Sequence, residues 1–177
     1  MKKLIIGLLL SIGLVANAHA NKPGEGGYQM TPEMMRGMVT QSMQVFQVAE
    51  DVSFDDAVQS MQLRANTLNF KMVADLPLSE QVEAMGQEAN PMRILAFCDA
   101  LIANKMVAYN KIFAGFLPCR IAIITDAEGV SWIITMNMDM MLNAVELTPE
   151  LEEMAKKVRD TIYSIVDAGV NGAPTDG

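Results

Sequence analysis

Phe54, Val58, Met61, Ala65 and Leu68 recur at steps of four, three, four and three. That spacing lines one face of an α-helix with apolar side chains. Ser53 and Asp56 frame its start as a capping box with Asp in place of the usual Glu, and the helix is predicted to end near Asn69. A second stripe, Leu151, Ala155, Val158, Ile162 and Ile165, follows Thr148-Pro149-Glu150. Those three residues supply an N-cap hydroxyl, a first-turn proline and an acid at the positive end of the helix dipole. Gly169 reads as the stop of this helix. Thr31-Pro32-Glu33 repeats the same punctuation and predicts a short helix carrying Met34, Met35 and Met38.

Between these helices lie apolar runs of strand length, at residues 43–50, 70–75, 92–98, 119–125 and 130–136. Leu76-Pro77-Leu78 breaks the second run, and "SEQVEAMG" predicts a turn or two of helix closed by Gly86. Asp99 is placed to cap a helix over residues 100–109, and Gly115 and Pro118 mark a linker. Asp126-Ala127-Glu128-Gly129 joins the last two strands in a tight hairpin. If the last strand continues, Met136, Met138 and Met140 share one face with Val130, Trp132 and Ile134, while Asn137 and Asp139 point the other way. A tight hairpin makes the sheet at least partly antiparallel, so the expected fold is α+β. A largely antiparallel sheet is packed on one face by two long amphipathic helices, with the short N-terminal helix beside it. One domain spans residues 43–168, after a lead-in and Met-rich helix at 21–42 and before a tail at 169–177 expected to be disordered.

The ends and the charge narrow the setting. Lys2 and Lys3, the apolar run 4–15 and Ala18-His19-Ala20 have the form of a cleavable signal peptide over residues 1–20. The expected destination is the bacterial periplasm or the exterior, with no membrane insertion after cleavage. The only histidine, His19, would leave with the leader. Without an imidazole, Ser-His-Asp and Cys-His catalysis, His-ligated haem and the usual zinc sites are excluded. The chain has 13 basic and 21 acidic residues; loss of Lys2 and Lys3 leaves 11 against 21, a formal charge of −10. That balance repels nucleic acid in the absence of a strong basic patch.

The residues "ILAFCDA", "FLPCRIAI" and "GVSWIITMNMDMM" are similar to the bacterial and archaeal family called domain of unknown function 302, in its longer, exported form. The matching elements are Phe97-Cys98, the run from Phe116 to Ile121, the Gly129 hairpin, and Asn137 with its flanking methionines. The resemblance implies a small α+β fold with a helix before a curved antiparallel sheet and another at the end, often as a homodimer. It implies no established activity.

Sulfur is the remaining candidate chemistry. The chain has 16 methionines, 15 without Met1. Thioethers are soft donors suited to Cu(I), and they are also adaptable core fillers. Met34, Met35 and Met38 are a candidate metal cluster, with packing or a dimer contact as the plainer reading; Met136 and Met138 extend the list of soft donors, with core packing as their default. Arg120, Asn137 and Asp139 are candidate ligand-binding residues. In the antiparallel arrangement that the resemblance implies, Cys98 and Cys119 lie at the same edge of the sheet, and a disulfide between them is expected in an oxidising compartment. The rival is a reduced pair serving as a thiolate metal or redox site. No C-x-x-C spacing or general base accompanies the cysteines, and the balance falls against an enzyme. The expected function is a non-enzymatic binding or interaction module for a small molecule, a metal or a redox protein. A thiol-based redox protein or Cu(I) binder is the second reading.

Overall fold

Caps start the helices where their side chains can replace missing intrahelical partners. In the computed structural model, which describes residues 30–172, the Thr31 hydroxyl accepts from the Met34 amide at 3.2 Å. Ser53 accepts from the Asp56 amide at 3.1 Å and donates to the Asp56 carboxylate at 2.6 Å. Asp99 accepts from the amides of Leu101 and Ile102, at 3.0 and 3.1 Å. The expected leader at 1–20 and the last five residues of the tail lie outside the described residues.

The elements run α1 (Pro32–Gln41), β1 (Met43–Gln47), α2 (Phe54–Thr67), β2 (Lys71–Leu76), α3 (Leu78–Ala84), β3 (Met92–Cys98) and α4 (Ala100–Tyr109). A 3₁₀ segment (Lys111–Phe116) follows, then β4 (Cys119–Thr125), β5 (Ser131–Met136), α5 (Met138–Asn143) and α6 (Pro149–Asn171). The five strands form one sheet in the order β1-β5-β4-β3-β2, every neighbouring pair antiparallel. This is the expected α+β domain. Alternation sends Leu95, Phe97, Ile121, Ile123 and Ile133 into the core. There they join Met61 of α2 and Ile162 and Ile165 of α6, all fully buried. On the opposite face, one register row crosses all five strands as Leu76, Ile94, Ala122, Ile134 and Val45. Val45 is 58 % exposed.

Three sequence expectations need correction. The linker before β4 is a 3₁₀ segment, with Phe113 buried in it. The last strand does not continue through the methionines: β5 ends at Met136 and α5 begins at Met138. Asn137 is the cap, accepting from the Met140 amide at 2.9 Å. Met138 and Met140 therefore stand 200° apart around a helix, at about 100° per residue, rather than on one strand face. Finally, Gly169 does not stop α6, which runs on to Asn171. Gly169 is buried inside the helix because it packs tightly: a Cβ there would lie 2.7 Å from Ile133 Cδ1 and from Met61 Cγ.

That close approach sets a prediction. Gly169→Ala gains about 1 kcal/mol of helix propensity, which offsets part of the crowding. Gly169→Val adds a branched side chain against two fully buried neighbours and is expected to destabilise by about 2 kcal/mol. Urea unfolding of the two variants checks the order, and a valine variant as stable as wild type would refute the packing account.

The β4–β5 hairpin is held by one carboxylate. Asp126 accepts from the indole N–H of Trp132 at 2.7 Å and from the amides of Val130 and Glu128 at 2.8 and 3.1 Å. The Trp132 bond, followed by the backbone donors, holds the Asp126 carboxyl below its ordinary value of 3.8. A depressed carboxylate stabilises the folded state above its unfolded pKa, and that contribution is lost as pH falls through the lower folded value. Fluorescence of Trp132, the sole tryptophan, is therefore expected to change below pH 3.8. Asp126→Asn should remove this acid step; an unchanged acid profile in the variant would count against it.

Candidate functional site

The core has two parts. The larger lies between the sheet and α2 and α6. A smaller cluster centres on Met106, Phe113, Leu151 and Ala155. Where the two meet, at the end of β3, the start of β4 and the end of β5, a cavity of about 60 Å³ remains. Its wall draws on Phe70, Cys119 and Val158 from the larger cluster and on Ile102, Met106 and Phe113 from the smaller. At ~10–15 Å³ of probe space per water, it has room for a few small atoms or one small ligand.

Six sulfur-bearing residues line this cavity: Cys98, Cys119, Met106, Met136, Met138 and Met141. Each reaches it for a local reason. Cys119 opens β4 on the core face, in register with Phe97. Cys98 is the last residue of β3, where the chain turns into the Asp99 cap of α4. Met136 ends β5, and Met138 and Met141 are three apart on α5, hence on one side of it. Met106 lies on α4, one turn after Ile102. The polar groups nearby are mostly occupied. Asp99 is engaged by two amides, and the Thr135 hydroxyl donates to the Arg120 carbonyl at 3.0 Å. Arg120 is among the lining residues, with its backbone carbonyl held by Thr135.

The disulfide expected between Cys98 and Cys119 is absent: both are free thiols. The two strand ends do share one sheet edge, as antiparallel pairing requires. The register, however, sets Cys119 opposite Phe97 and Cys98 opposite Lys71. The two sulfurs are thus offset by one residue, and alternation starts them on opposite faces. Burial pushes the Cys119 thiol up to about 11, and the neighbouring Cys98 adds to the rise. Cys98 is raised by burial and then by the Asp99 carboxylate. Both thiols are protonated at neutral pH.

The other candidates divide. Asn137 caps α5 and donates to the Gln41 carbonyl at 3.1 Å. Asp139 pairs with Arg159 at 3.1 Å and accepts from the Tyr163 hydroxyl at 3.1 Å, which ties α5 to α6. Neither lines the cavity. Met34, Met35 and Met38 lie on α1, 45–46 % exposed, and also take no part in it. Sequence reasoning missed Met106 and Met141. An available signal was the Asn137 cap with Asp139 in the next turn, which starts a helix and brings Met141 beside Met138. Among the described residues, no three His, Cys, Asp or Glu side chains cluster as metal ligands. None of the helices there is long and apolar enough to cross a membrane.

Fold and site together define a small α+β domain with an antiparallel sheet, helices on one face and a sulfur-lined cavity at one sheet edge. The family model described as "Domain of unknown function DUF302" matches residues 46–169, and the chain belongs to that family. A solved structure described as "Crystal structure of uncharacterized conserved protein DUF302 from Bacillus stearothermophilus" shares the fold. It has a TM-score of 0.58 and 18% identity, over 71% of this chain and 96% of that one. No curated protein matches.

Proposed function

We propose that this chain is a non-enzymatic binding module of the bacterial periplasm whose ligand site is the cavity between β3, β4, β5 and α4. The observation that carries this reading is the lining. Small-ligand sites are concave and mostly apolar with a few convergent polar groups. Here the wall is mostly apolar, and Cys98, Cys119 and Arg120 are the lining residues with polar groups left to engage a ligand. The absence of histidine beyond His19 and of any acid–base pair at the cavity speaks against turnover.

Xenon tests the site directly, because it enters small apolar cavities without needing a specific contact. With methyl-labelled methionine, NMR under xenon pressure is expected to shift the methyls of Met106, Met136, Met138 and Met141 and spare Met34, Met35 and Met38. Unmoved cavity methyls would overturn the cavity as a site for apolar ligands.

The partner of the module is a second copy of itself. Supporting this, β1 is an edge strand, and α1 runs straight into it. Together they expose Met34, Met35, Met38, Val39, Met43 and Val45, an apolar strip beside an unpaired strand edge of the kind that pairs with another chain. Light scattering is expected to give twice the chain mass at micromolar concentration, and Val45→Lys with Met38→Lys to give one chain mass. A wild-type monomer would end this part of the proposal.

A further inference from the structure

The cavity's donors are of one chemical kind. Two cysteines and four methionines line it, with no histidine, and its one acidic residue, Asp99, is engaged in capping α4. Hard cations take oxygen ligands, and zinc takes thiolate with imidazole or carboxylate. Thioether alongside thiolate selects a soft monovalent ion. Resting on the reading that this cavity is the ligand site, we propose that it binds one Cu(I) ion, held by the Cys98 and Cys119 sulfurs and flanked by the thioethers of Met106, Met136, Met138 and Met141.

The two cysteines are unbonded, as this role requires. A disulfide brings two sulfurs to about 2.05 Å. An ion between them, with metal–sulfur bonds of about 2.3 Å as in zinc thiolates, spans a wider gap. Binding is a proton exchange without electron transfer: Cu⁺ and two thiols give a bis-thiolate copper complex of charge −1 and two protons. A thiol is ordinarily protonated at neutral pH, so each copper bound releases two protons, and apparent affinity rises about a hundredfold per pH unit in that range. The α1 methionines have no part in the site, which separates it from a generic methionine-rich copper binder.

The test is an anaerobic competition titration of the reduced full chain with Cu(I) alone, against a chromophoric Cu(I) chelator. One ion per chain at submicromolar affinity, with two protons released, is expected at pH 7. Cys98→Ser and Cys119→Ser should each weaken binding at least a hundredfold. Leucine at Met34, Met35 and Met38 together should change nothing. Circular dichroism checks that the variants fold; if Cys119→Ser does not, Cys98→Ser and the proton count decide. No binding tighter than micromolar, binding retained in Cys98→Ser, fewer than two protons released, or loss in the α1 triple variant would each overturn the copper site. The xenon experiment separates this from the broader reading. Xenon entry without copper binding leaves a binding module and removes the metal. Copper bound through both cysteines without xenon entry supports the metal and removes only apolar ligands. Neither result overturns both.

Discussion

Phe97→Ala is expected to lower the stability of the domain by about 3–5 kcal/mol, the cost of emptying a fully buried aromatic position. Phe97 is completely buried at the end of β3 and pairs with Met72 on one side and Cys119 on the other. Its removal leaves a hole between the core and the sulfur cavity. A small domain is stable by only ~5–15 kcal/mol, so this one change consumes a large share of the total. Urea unfolding followed by Trp132 fluorescence measures it, with the midpoint moving and the slope constant. A loss below 1 kcal/mol would show that the neighbours collapse into the space, contrary to a rigidly packed core.

The second large effect is on thiol reactivity. With its pKa raised from 9.0 to about 11, Cys119 has roughly a hundredfold less thiolate at pH 7.5 than an unperturbed thiol. The more basic thiolate is intrinsically the better nucleophile, by about six- to tenfold for two pKa units. Iodoacetamide should therefore label Cys119 at least tenfold more slowly than unfolded protein, with burial slowing it further. The rate should climb about tenfold per pH unit up to roughly pH 10, while the thiolate population is still growing. Unreduced, denatured protein should show two free thiols per chain, as the structure has them. A Cys119 as reactive as a free thiol would contradict the buried placement, and absence of free thiols would contradict the register offset.

Much of the scaffold was legible because local signals agreed. The Ser53 and Thr148 caps, the apolar stripes behind them and the alternation in β3 and β4 each placed an element where it occurs. Local punctuation failed at Gly169. Glycine after an apolar stripe signals a helix stop, but here it permits contact with Ile133 and Met61, neither of which is near it in sequence. The methionine run failed for a related reason: alternation over five residues satisfies a strand, and only the Asn137 cap argues for a helix.

By itself, the sequence determined the α+β class and the absence of imidazole chemistry beyond residue 19, while the sheet edge shared by the two cysteines was implied only by the family resemblance. The first two follow from composition, periodicity and the tight hairpin, which are properties of neighbours along the chain. The tertiary structure alone decided the one-residue offset between Cys98 and Cys119, because register depends on how whole strands align their apolar faces. It also gathered Met106 from α4 and Met141 from α5 around those thiols while leaving Met34, Met35 and Met38 outside. A methionine fits a core, an interface or a metal equally well by its own chemistry. Which of these it serves is set by the residues that packing places opposite it.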